Sequence, residues 1–269
     1  MFTPLANSSY QMPAHFGPRY QGAKTSGWYH DVTTMIVSYV TDRELLSRYI
    51  PAPFELAETA VVSVAYARNR NVDWLAGHGY NLIAVNAAVN FKGQRDQLAG
   101  NYCLVMWENL ADPILTGREL QGIPKIYADI SDLDIHEGRW RAEASHFGHP
   151  IVDLEVAELS TPSAEDIALF QAAQQDKDHP MAWRYLPNVG AGGEALSEFT
   201  LFPSQNQLSE IQVGSGQVNW QSLSWEQNPT QFHIVNALAG LPVLDYLPAI
   251  TTRGSCNLIV ADSPSRVLR

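Results

Sequence analysis

Cysteine is nearly missing from this chain: Cys103 and Cys256 are the only two among 269 residues. Neither lies in a Cys-x-x-Cys pair, so a disulfide scaffold and a cysteine-rich zinc site are excluded, and a reducing, cytoplasmic setting is expected. Basic charge is also short. Lys and Arg number 17 against 28 Asp and Glu, a formal net charge of −11. Phosphate backbones would be repelled and no basic run interrupts that field, so nucleic acid is not an expected partner. No stretch reaches the ~18 consecutive apolar residues of a membrane span, so no membrane partner is expected either. Residues 1–22, rich in Pro, Ser, Tyr and Gly, hold no apolar run of signal-peptide length and read as an irregular arm. The G-x-S-x-G elbow, the G-x-x-x-x-G-K-[ST] loop and the H-E-x-x-H helix are all missing. His136, His146 and His149 flank different extended segments, and Asp132 and Asp134 share one solvent-facing side of a strand, so neither metal nor cofactor is expected.

What is present is a strand-rich pattern. Hydrophobic residues make up 45% of the chain, enough at this length to bury a large core without staples. A short helix is expected over 41–50, capped by Thr41 or Asp42 and stopped by Pro51. Short runs rich in Val, Ile, Tyr and Trp follow at 61–68, 81–91, 102–107, 126–135, 140–147 and 151–159, separated by Gly, Asp, Asn and Pro. Ser163 with Asp166 three residues on predicts a capping box, with Ile167, Phe170 and Ala173 on one helical face. Further strands are expected at 183–186, 196–202, 210–213, 217–223 and 258–261, with Gly214-Ser215-Gly216 as a hairpin turn and a weak helix over 230–238. No linker, repeat or low-complexity tract divides the chain. The expectation is a single α+β domain, mainly antiparallel, with its long sheet curled into a closed or nearly closed β-barrel or cone and a few peripheral helices.

One segment stands apart: Gly117-Arg118-Glu119-Leu120-Gln121-Gly122-Ile123-Pro124-Lys125. Lys125 follows a proline, with Leu120 and Ile123 before it and Ile126 after it, which places a cation in an apolar neighbourhood at a strand start. A lysine of ordinary pKa, ~10.4, is almost wholly charged at neutral pH, and burial lowers that value by up to ~3–5. A free amine attacks a ketone, and the resulting iminium is an electron sink for the carbanion left by decarboxylation or deprotonation.

Gly-Arg-Glu-Leu followed by Pro-Lys at 117–125 resembles the signature of the acetoacetate decarboxylase-like superfamily, in which that lysine forms a Schiff base with an oxo acid. The likeness extends over 39–56, 102–129, 184–196 and 237–243. It implies a small oxo-acid substrate, no cofactor and a homo-oligomer, with Arg118 and Glu119 supporting the lysine loop as an ion pair. It also marks departures. Where decarboxylases of the family carry a second lysine this chain has Ile126, and where they carry an acid in the segment matching Gly79-Tyr80-Asn81-Leu82 it has Leu82. By eye, the family's arginine and a further glutamate fall on Val32 and Val64. Gln121 is instead similar to members that use the lysine on pyruvate-like substrates for aldol condensation and dehydration. The resemblance thus implies a lyase with Lys125 as nucleophile, Gln121 and Tyr80 orienting carboxylate or water, and Asn81, Leu82 and Ile126 around them. The aliphatic replacements also fit a second expectation, a scaffold that binds a hydrophobic ligand or cyclises one without an imine.

Overall fold

The computed structural model describes residues 2–6, 8–18, 26–168, 179–190, 192–259 and 263–269. Among the described residues sixteen strands make one sheet: β1 (Trp28–Val40), β2 (Phe54–Leu56), β3 (Val61–Val72), β4 (Tyr80–Lys92), β5 (Gln97–Glu108), β6 (Lys125–Tyr127), β7 (Asp129–Ile130), β8 (Asp134–His136), β9 (Arg139–His146), β10 (His149–Ser160), β11 (Pro180–Pro187), β12 (Glu194–Leu201), β13 (Gln205–Trp220), β14 (Asp245–Tyr246), β15 (Ala249–Asn257) and β16 (Arg266–Val267). Helices are few: α1 (Arg43–Ser47), α2 (Ala111–Thr116), α3 over 164–168 and α4 (Phe232–Ala239). The architecture is α+β and mostly strand. No helix among the described residues is long and apolar enough to cross a membrane.

The strand path runs β16-β12-β11-β5-β4-β3-β1-β15-β13-β10-β9-β7. It has two ends, so hydrogen bonds do not close the expected barrel. Pairing is antiparallel throughout except where β5 meets β11 and β6, which run parallel to it. Alternation along β1, β3, β4 and β5 gives the sheet an inner face of Met35, Val37, Tyr39, Val64, Tyr66, Ile83, Val85 and Trp107, which forms the main core together with β9, β10 and α4. The opposite face of β4 and β5 carries the chemistry described below.

Local expectations met the structure unevenly. Asp42 caps α1, its side chain accepting from the Leu45 N–H at 2.8 Å, and Ser163 and Asp166 make the reciprocal bonds of a capping box. Phe170 and Ala173 lie outside the described residues. The run 126–135 breaks into β6, β7 and β8, because it changes partner from β5 to β9. Gly214-Ser215-Gly216 is no turn: β13 passes through it unbroken. A Cβ on Gly216 would lie 2.7 Å from the Ala249 Cβ, and one on Gly214 would lie 2.3 Å from the Ala157 carbonyl oxygen. These glycines admit close neighbours rather than a reversal. The strand expected over 258–261 is not there for Leu258 and Ile259; β15 ends at Asn257, and 260–261 lie outside the described residues.

Candidate active site

The site grows from the end of β5 and the loop that follows it. After Glu108 the chain leaves the sheet and turns into α2, where Pro113 sits in the first turn and so loses no helical hydrogen bond. Residues Gly117–Gln121 continue as one wider turn of π-helix. Gly122 ends it at φ +75, a left-handed conformation that favours glycine, and Pro124 prevents any return to helix. The chain comes back as β6, with Lys125 in register with Met106 and Tyr127 with Glu108. Met106 N–H donates to the Pro124 carbonyl at 3.1 Å and Ala128 N–H to the Glu108 carbonyl at 3.2 Å. Lys125 and Glu108 are therefore fixed by backbone pairing on adjacent strands.

Their side chains meet under α2. Lys125 is 5% exposed and Glu108 not at all, and Nζ lies 2.7 Å from Oε1. Nζ also donates to the Pro113 carbonyl oxygen at 3.2 Å. Burial pushes the Glu108 carboxyl above the usual carboxylate range, and the positive charge of Lys125 pulls it only part of the way back. Two small apolar clusters lie near the pair, Tyr29, Val72 and Tyr80 in one and Cys103, Ile123 and Ala182 in the other. Both clusters feel its charge. Burial pushes the Cys103 thiol up to about 12; Lys125 pulls it down and Glu108 adds to the rise.

Gly117 makes the room. Its φ of −64 and ψ of −40 suit any residue, but a Cβ there would lie 2.4 Å from Lys125 Cε and 2.9 Å from Nζ. The lysine tail is the movable partner, so Gly117→Ala is expected to displace the amine rather than unfold the chain. Capture of a keto substrate should fall by about 100-fold, the scale of an ångström-sized misplacement. The melting temperature should fall less than in Lys125→Met, since the displaced amine weakens its pair with Glu108 while alanine is the better helix former by ~1 kcal/mol. Trapping rates alongside a thermal melt check this.

Other residues singled out in the sequence take varied places. Arg118 donates to the Lys125 carbonyl at 3.0 Å, and Glu119 offers its own carbonyl to Arg184 at 2.8 Å. Both hold the loop, but among the described residues no ion pair joins them to each other. The Gln121 Nε2 lies 3.5 Å from Ser265 Oγ. The Tyr80 hydroxyl is 3.2 Å from that of Tyr29, and burial, with the negative charge of Glu108 adding, pushes it well above the usual phenol range. It stays a neutral phenol. Asn81 is a buried staple: its Nδ2 donates to the Ser131 carbonyl at 2.9 Å and its Oδ1 accepts from Arg70 at 2.9 Å. Leu82 faces Glu108 directly across β4 and β5 and forms an apolar wall. Val32 packs with it against Tyr29 and Tyr80, whereas Val64 faces the main core on the other side of the sheet. Ile126 packs against that core too, so a cation there would not share the face of Nζ. Clefts of about 410 Å³ beside Gly214–Gln217 and about 600 Å³ beside Glu137–Trp140 are lined by other residues. No group of three or more His, Cys, Asp or Glu converges among the described residues.

Glu108 was not among the residues the sequence singled out. Its signal was there in the alternation of Met106 and Glu108 against Val105 and Trp107, which puts a carboxylate on a strand face otherwise apolar.

A sequence profile of the acetoacetate decarboxylase (ADC) family matches residues 11–253. The chain belongs to the acetoacetate decarboxylase family. Acetoacetate decarboxylase 3 of Mesorhizobium japonicum is 26% identical over 238 residues, 86% of this chain and 81% of that protein. Two solved structures show the shared fold. Acetoacetate decarboxylase from Legionella pneumophila superposes with a TM-score of 0.71 at 18% identity, covering 91% of this chain and 88% of its own. The enduracididine biosynthesis enzyme MppR, complexed with pyruvate, gives 0.66 at 16% identity, covering 99% and 98%. This acetoacetate decarboxylase family member therefore shares its fold both with decarboxylases and with an enzyme whose structure holds pyruvate.

Proposed function

We propose that the protein is a Schiff-base-forming lyase acting on a small oxo acid, pyruvate-like or 3-oxo, through an iminium at Lys125. One observation carries the reading: the motif lysine is buried, its amine 2.7 Å from a carboxylate that can take its proton. The freed amine attacks the ketone carbon, the C–N bond forms, and the carbonyl oxygen leaves as water. The iminium then draws electrons from the neighbouring carbon. Loss of carbon dioxide or loss of a proton there gives an enamine, whose carbon can attack an aldehyde and lead to dehydration.

The carboxylate beside the amine favours the aldol and dehydration course. Once Lys125 carries the substrate, Glu108 stands next to the iminium as a base for the neighbouring C–H, the proton loss that the aldol course needs and decarboxylation does not. Incubation with pyruvate and borohydride is expected to add the substrate's mass less one oxygen atom, read by intact mass. Carbon dioxide release from acetoacetate should stay near the uncatalysed rate. No mass gain would remove the Schiff-base reading, and fast release of carbon dioxide would reverse the choice of course.

A further inference from the structure

The two oxygens of Glu108 are placed unequally. Oε1 meets the Lys125 amine, while Oε2 is buried and has no hydrogen-bond donor among the described residues. An ion pair kept only for architecture is stable when donors complete both oxygens, because an unpaired acceptor away from water is destabilising. On the same face Leu82 stands in direct register with Glu108, and Tyr29 and Tyr80 lie near enough to feel its charge. The Tyr80 hydroxyl is already engaged with Tyr29. A free carboxylate oxygen thus sits beside the amine, and the carbon next to any ketone captured there is two bonds from Nζ.

We propose that Glu108 is the catalytic acid–base of this site and that the protein enolises the ketones it captures, exchanging the hydrogens beside the imine carbon with solvent. The proposal rests on the Lys125 reading and deepens it. Glu108 takes one proton from the ammonium, and the amine lone pair bonds to the ketone carbon. Glu108 gives its proton to the alkoxide, takes one from the nitrogen, and returns it to the departing hydroxyl, which leaves as water. Ammonium, carboxylate and ketone become iminium, carboxylate and water, with every proton accounted for. The carboxylate then removes a proton from the neighbouring carbon. The C–H electrons become the enamine double bond, and the C=N pair returns to nitrogen. Glu108 exchanges with solvent and the steps reverse. No second cation is needed to free the lysine, because its proton has an acceptor in contact.

The test uses the full chain in deuterium oxide with pyruvate. Proton NMR follows the methyl signal, and borohydride trapping gives the fraction of protein carrying the imine. The wild type should lose methyl signal well above protein-free pyruvate and above the Lys125→Met variant. Glu108→Gln should capture pyruvate more slowly, and in whatever imine does form exchange per trapped imine should fall at least ~100-fold. Glu108→Asp, which draws the charge back by one methylene but keeps a carboxylate, should capture faster than Glu108→Gln and lose ~10-fold or more in exchange per trapped imine. Normalising to trapped imine separates catalysis from any loss of folded protein, and the aspartate variant reads the same effect if the glutamine variant folds poorly. Equal exchange per imine in wild type and Glu108→Gln, or wild-type capture without exchange, overturns the assignment of Glu108 and leaves Lys125 standing. No capture by the wild type overturns both.

Discussion

Lys125→Met is expected to abolish borohydride capture of pyruvate and to lower stability by about 3–5 kcal/mol at neutral pH, because it leaves Glu108 buried without its counter-ion. The loss should depend on pH in a defined direction. Burial raises the Glu108 carboxyl and Lys125 pulls it down, so removing the lysine raises it further. A group whose folded-state pKa is raised contributes its full stability below the unfolded value and loses it as pH rises through the folded value. The gap between wild type and variant should therefore be widest near pH 8 and shrink toward about pH 5, as the lone carboxyl takes up a proton. The double variant Glu108→Leu with Lys125→Met removes both charges and should return to within ~1 kcal/mol of the wild type, still inert. Denaturant titrations at the two pH values measure all of this. A single variant as stable as the wild type at every pH would mean that the two groups do not interact as described.

Trp107→Ala carries the second large effect, on the other face of the same strand. The ring is wholly buried in the main core, and its Nε1 donates to Gln231 Oε1 at 2.8 Å, while Gln231 Nε2 donates to the Tyr127 carbonyl at 2.8 Å. One side chain thus links β5, β6 and the start of α4. Truncation removes the ring's packing, about 3–5 kcal/mol, and strands a buried amide oxygen, so the melting temperature should fall by roughly 10 °C. Because β5 also carries Glu108 and pairs with Lys125, capture should weaken in the protein that remains folded. Trp107→Phe keeps most of the packing and should lose clearly less. Equal losses for the two would show that the hydrogen bond to Gln231, not the volume, holds the strands.

The strands that alternate cleanly were legible from residue types: β3, β4, β9 and β10 each place one apolar face on the core. Caps were legible as well, since Asp42 and the Ser163–Asp166 pair act within a single turn. What escaped depended on partners distant in sequence. β15, with Thr251, Thr252, Arg253, Gly254 and Ser255, has little strand character of its own and is extended because β1 and β13 flank it. Polar residues at His30, Asp31, Thr33 and Thr34 diluted the period-two signal of β1. Gly214 and Gly216 carried a turn signature, but their missing side chains serve the crossing of β13 past Ala157 and Ala249. At the site, the motif pointed to Lys125 because its chemistry is local. Glu108 stands 17 positions earlier and reaches the amine only through the parallel pairing of β5 with β6, a contact that no local pattern encodes.

The account stands on an amine at Lys125 that reacts where other lysines do not. The chain has four lysines, at 24, 92, 125 and 177. Peptide mapping after reduction with borohydride in the presence of pyruvate reads all four at once. The account predicts the adduct on Lys125 alone, near one per chain, and about 100-fold slower labelling there in the Gly117→Ala protein. Label spread over Lys24, Lys92 and Lys177 with Lys125 unmodified would contradict it.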